Sequence, residues 1–243
     1  MRHIHKPANA VGPYCLQQKF DQGTPSEPTK AWQKLGSDCK QSLIEYYLKP
    51  EQYCLCAYSE INLNTFGCHI EHIKPKDKNR YPEYTFDYHN LIASAFDSEE
   101  LQKHSKADRF GGHFKCGDKS EQDKYDPNLF ISPLEDNCRH FFSYEPDGSV
   151  KPHPKRELSE QARAQYTIDA LNLNAPYLVE ERRRIIEEML PIIDELLDDN
   201  EALRDFAEVD LCVTNGKLQP FHSTRLQQFG TLGLQVMQDP NCF

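Results

Sequence analysis

The chain has 243 residues, a formal net charge of −10 and 38% hydrophobic residues. That length suits one large domain or two modest ones, and the composition excludes a disordered chain. The acidic balance argues against an autonomous nucleic-acid binder, and no apolar run is long enough to span a membrane.

The opening "MRHIHKPANAVGPYCLQQ" lacks the apolar stretch of a signal peptide, so a cytoplasmic protein is expected. Under those conditions the nine cysteines read as reduced thiols or metal ligands. Cys15, Cys39, Cys138, Cys212 and Cys242 stand alone and read as small buried hydrophobes.

Residues 1–27 read as an irregular arm. From Thr29 to Leu48 the spacing of Trp32, Leu35, Cys39, Leu43, Tyr46 and Tyr47 predicts a helix, weakened at Gly36 and ended by Pro50. "YCLCAYSEINLNTFGCHIEHI" reads as two short strands around a turn at 62–67. A polar loop with Pro75 and Pro82 follows, and then the partly apolar "YHNLIASAF". Residues 98–128 read as an extended loop or insertion.

Around Pro146, Asp147 and Gly148 the alternation on either side predicts a hairpin. A helix is expected over "SEQARAQYTIDALNL", with Ser159 as its candidate N-cap. A longer helix begins near Pro176 and carries a stripe of Leu178, Ile185, Ile186, Met189, Ile193, Leu196 and Leu197. Pro191 should kink or split it. The stripe reads as core rather than partner interface. The fold class is therefore α+β. Its parts are an arm and helix over 1–50, a β-containing centre with insertion and hairpin over 51–155, and a helical region over 156–243.

The chemistry concentrates in "CHIEHIKPKDKNRYPEYTFDYHNLIAS", residues 68–94. Glu71 and His72 set a metal-ligating oxygen beside an imidazole that titrates near neutral pH and can take a proton from water. A divalent cation on carboxylate oxygens would stabilise charge on a phosphate. Asn90 can pin a loop through bonds to backbone. Lys74, Lys76, Lys78 and Arg80 can hold a phosphodiester strand. This set suits phosphodiester hydrolysis; ordinary surface residues of a hairpin are the plain alternative.

"KPEQYCLCAYSE", "HIEHIKPK", "YHNLIAS" and "CGDK" come in the order and spacing of an HNH nuclease. With "MRHIHKP", "AWQKL" and "YTIDALNLNAPYLVEERRR", the chain resembles the HNH endonucleases of retron and Septu antiviral operons over residues 1–190. The resemblance implies a ββα-metal core near residues 54–120. His72 would be the general base, Asn90 the loop-orienting asparagine and Glu71 a metal ligand. Asp118 would be the remaining ligand, although Gly117 stands where many relatives have Asn or His. His69 and His113 are lesser candidates.

The resemblance further implies Mg²⁺ or Mn²⁺ at the site and an ATPase partner from the same operon. In retron versions it adds a reverse transcriptase with its noncoding RNA. The substrate is nucleic acid, with DNA and RNA, tRNA included, both open. A four-cysteine structural zinc is not expected, because Ser59 and Ala95 stand at two of its positions; Cys56 and Cys116 remain, with Cys54 as a stand-in. A catalytically inactive scaffold subunit of the same complex is the alternative to a toxic effector.

Overall fold

The computed structural model describes residues 1–116 and 124–243. The arm is not wholly irregular, since α1 (Tyr14–Asp21) starts directly after Pro13. The single helix expected over 29–48 is divided. α2 (Pro28–Gln33) and α3 (Ser37–Leu43) are separated at Gly36, and α3 continues through a π-turn (Ile44–Leu48) into α4 (Lys49–Glu51). The stripe nonetheless faces inward, with Trp32, Leu35, Cys39, Leu43 and Leu48 buried.

The strand pairing corrects the sequence expectation. β1 (Cys68–His72) pairs antiparallel with β2 (Leu91–Ala95), and not with the segment before it. Residues 53–67 form turns, held by an isolated bridge between Leu55 and Asn62. All five residues of β2 are buried, so the segment lacks the alternation that marks a half-exposed strand. The buried Gln52 side chain takes the place of a third strand. Its Oε1 accepts from Ala93 N at 2.7 Å, and its Nε2 donates to Ala93 O at 2.9 Å.

The insertion contains α5 (Ser98–Lys103), capped by Asp97, and α6 (Gly112–Cys116). The β3–β4 hairpin (Phe142–Tyr144, Val150–Pro152) forms around the predicted turn, with Gly148 at φ +83°. α7 (Leu158–Leu171) is capped by a Glu157/Glu160 box rather than by Ser159.

α8 (Pro176–Leu196) runs through Pro191 as one helix. Pro191 and Glu187, whose carbonyl loses its donor, both face solvent, so water can complete that bond. α8 buries Leu178, Ile185, Ile186, Met189 and Ile193, each contributing about 1.5–3 kcal/mol of apolar burial. α9 (Asn200–Leu211) and α10 (His222–Val236) complete the helical region, and α10 packs on both α8 and α9. One hydrophobic cluster runs from Met1 to Cys242. Among the described residues no helix is long and apolar enough to cross a membrane.

Four of the cysteines read as isolated are in fact paired, Cys15 with Cys39 and Cys212 with Cys242. The partners lie 24 and 30 residues apart, in segments that only the tertiary fold brings together. Cys138 is free and buried.

Candidate active site

Adjacent residues of a strand point to opposite faces. β1 therefore does not present Glu71 and His72 as one group. His69 and Glu71 face α6, whereas His72 faces α2 and the loop that leads to β2.

On the α6 face, Glu71 is 4% exposed. The Nζ of Lys115 lies 2.7 Å from Glu71 Oε1, and His69 Nε2 lies 3.5 Å from Oε2. Burial alone would raise the Glu71 carboxyl. Lys115 and His69 outweigh it and hold the group below the usual carboxylate range. Lys115, fully buried, also donates to the carbonyls of His72 and Ile73 at 2.9 Å. His69 donates through Nδ1 to Phe96 O at 2.9 Å, which turns its Nε2 toward Glu71. The His113 ring lies 3.8 Å from that of His69, and its buried Nε2 has no partner among the described residues. Burial, with His69 beside it, pushes His113 down to about 3.

α6 approaches closely because Gly112 has no side chain. A Cβ there would fall 2.6 Å from the Glu71 carboxyl and 2.9 Å from His69 Nε2. Two imidazoles and a carboxylate are donors suited to a divalent cation. Among the described residues, however, no three such groups are arranged to hold one. Asp118 lies outside the described residues.

On the other face, His72 is 3% exposed. Its ring meets Trp32 of α2 edge-on, with centroids 4.5 Å apart. Nε2–H donates to Thr85 O at 3.0 Å, so Nδ1 carries the lone pair, which accepts from Lys76 Nζ at 3.4 Å. Burial, then Lys76, lowers His72 to about 3, and the imidazole is neutral at physiological pH. Asn90 ties the loop over residues 74–84. Its Oδ1 accepts from Lys74 N at 2.8 Å, and its Nδ2 donates to Lys74 O at 2.9 Å and Tyr84 O at 3.2 Å.

The four basic residues of the loop are engaged within the chain. Lys78 pairs with Glu27 at 2.8 Å and Arg80 with Asp77 at 3.3 Å. Lys74 lies over the Tyr84 ring at 3.7 Å, and Lys76 faces His72. Cys56 is buried, its Sγ accepting from Ala95 N at 3.3 Å, while Cys116 Sγ lies 3.8 Å from Glu71 Oε2.

Sequence reasoning missed Lys115 and Trp32. Lys115 is one of several lysines in a charged stretch and nothing marks it as buried. Trp32 was visible only as a core residue of a helix.

No family model matches the chain. It is 34% identical over 140 residues to the "Retron Vc95 putative HNH endonuclease" of Vibrio cholerae serotype O1 biovar El Tor, a match covering 57% of this chain. The chain thus spans about three fifths, 61%, of the length of the curated relative it matches. Over that stretch, the chain is similar to a protein named as a retron HNH endonuclease.

Proposed function

We propose that this chain is a metal-dependent HNH endonuclease that hydrolyses phosphodiester bonds. In this reading it is the toxic effector of a retron- or Septu-type antiviral system and acts with an ATPase partner. The observation that carries the reading is the state of His72. It is neutral, its tautomer is fixed by Thr85 O, and its Nδ1 lone pair, the proton-accepting position, is held by the Lys76 ammonium at 3.4 Å. The similarity to a retron HNH protein supports it independently.

His72 accepts the proton of the attacking water at Nδ1 while Nε2–H stays on Thr85 O. Asn90 keeps the loop that carries Thr85 and Lys74 against β1, which aims the imidazole. In this reading Glu71 and Asp118 are the residues that would hold Mg²⁺ or Mn²⁺, with His69 and His113 as lesser candidates, and the Lys115 ammonium on Glu71 would have to give way to the ion. When bound, that ion would neutralise charge on the phosphate and the leaving oxygen. Because the His72 ring is buried against Trp32 and Lys76 occupies Nδ1, water reaches that nitrogen only after the Lys76 side chain draws back. That requirement suits an effector whose activity is controlled by partners.

One observation favours the second reading, an inactive HNH-derived scaffold. The base is covered, and an ammonium from the chain itself already neutralises Glu71. The two readings separate in one experiment. Chain co-expressed with its operon ATPase is incubated with mixed DNA and RNA in Mn²⁺, beside the His72→Ala variant. Cleavage reduced about 10²–10⁴-fold in the variant supports the enzyme. Equal cleavage by both proteins, or none by either, refutes it.

A further inference from the structure

The loop expected to grip nucleic acid uses Lys78 and Arg80 in internal ion pairs. A chain of net charge −10 that hydrolyses nucleic acid draws on cations beyond that loop, and the fold gathers several basic side chains in one further place. Between the β3–β4 hairpin and α10 lies a groove of about 630 Å³. One wall carries Arg139, His140, His153, Lys155 and Arg156, and Leu226 and Leu234 of α10 line the other.

These cations are largely uncompensated. Arg156 has Glu160 at 3.8 Å, a loose pair on a half-buried surface. Neither Arg139 nor Lys155 has a carboxylate partner among the described residues. Glu145, close by on the hairpin, is paired with Lys151, whereas Asp136, three residues before Arg139, has only the His3 imidazole beside it, which burial keeps neutral. The crowding is felt by His140, which burial and then Arg139, Arg156 and His153 push below its ordinary value. Positive groups left facing one another in a concavity are relieved by a bound polyanion. Two guanidinium forks match phosphate oxygens, and two imidazoles offer flat faces on which bases stack.

We infer that this groove seats a single-stranded phosphodiester chain and is the substrate-holding surface of the nuclease proposed above, on which reading it rests. Three permanent cations line it: Arg139, Lys155 and Arg156. Each contributes about −0.7 to the slope of log affinity against log salt for single strands, so the groove gives a slope of about −2.

The test is fluorescence anisotropy of the full chain with labelled mixed-sequence 20-nucleotide DNA and RNA in EDTA, where binding is read without cleavage. The Arg139→Gln/Lys155→Gln variant should bind about 25-fold more weakly at 0.1 M salt, with the slope reduced by about 1.4. A Lys19→Gln/Lys217→Gln control, outside the groove, should bind as the wild type does. Thermal melts verify that both variants fold. Unchanged affinity and slope in the groove variant overturn the inference. So does displacement by a poly-glutamate peptide of the wild type's partner strand at concentrations below those of competing oligonucleotide, since the groove then takes an acidic protein segment. Cleavage in Mn²⁺ is scored separately. A chain that cleaves but is indifferent to the groove variant fails only this inference. A chain that binds through the groove and never cleaves fails only the nuclease reading.

Discussion

Replacing Lys115 by methionine keeps the aliphatic stem and deletes the ammonium. In the wild type that ammonium is fully buried, 2.7 Å from Glu71 Oε1, and bonded to two carbonyls at 2.9 Å. Its loss leaves a buried carboxylate without its cation, a change that costs about 3–5 kcal/mol. For a chain of this size each kcal/mol moves the melting point by about 2–4 °C, so Lys115→Met should melt roughly 6–20 °C lower. In Lys115→Met/Glu71→Gln no charge remains to be compensated, and a coupling of about 2 kcal/mol should appear in the double-mutant cycle.

The acid response should also change sign. The wild-type Glu71 carboxyl is held low, so its contribution is present above the ordinary carboxylate range and is lost as pH falls below it. In Lys115→Met burial is opposed mainly by His69, and acid relieves the variant relative to wild type. Urea denaturation at pH 7 and at about pH 3.5, below the ordinary carboxylate range, measures both effects. A single variant within 1 kcal/mol of wild type, or a cycle with no coupling, would refute the argument, where 1 kcal/mol is about the scale of an exposed pair.

Asn90→Ala removes three side-chain bonds to the 74–84 loop and should cost about 2–4 kcal/mol, with faster proteolysis within that loop as the local readout. Gly112→Ala drives a methyl into Glu71 and His69 and should destabilise by about 1–3 kcal/mol in a thermal melt. Glu60 is buried, which alone would raise it, yet the Met1 ammonium at 3.3 Å and Ser223 hold it at about 2. Being depressed, it contributes stability above its ordinary 4.5 that disappears as pH falls from there toward about 2. Glu60→Gln should flatten the stability profile over that window, and an unchanged profile would count against the contact.

Much of the site was legible because it is local. Glu71, His72 and Asn90 stand at the ends of two strands that pair directly, and the Asp-Gly turn announced its hairpin through dihedrals that few residues adopt. What stayed hidden depends on distant chain. β2 carries no alternation because both of its faces are covered, and its outer edge is completed by Gln52, a side chain with no strand signature. Lys115 looked like a surface lysine until α6 folded it beneath β1. The division of Glu71 and His72 between two faces follows from the period of a strand. Placing them in β1 and not before it was enough to foresee that split, but not what each face would meet.

The cover over His72 has one more property. Trp32 lies between Cys15 and Cys39, whose bond closes the segment carrying it into a ring of chain. For a ring of about 25 residues the restraint is worth roughly 3.5 kcal/mol by chain-entropy arithmetic. Closed, the segment works as a clasp; opened by a thiol, it is held only by its backbone and its packing. A reductant should therefore loosen the cover over the His72 ring without touching a residue around it, and hydrogen exchange over residues 28–43 with and without dithiothreitol would read that loosening.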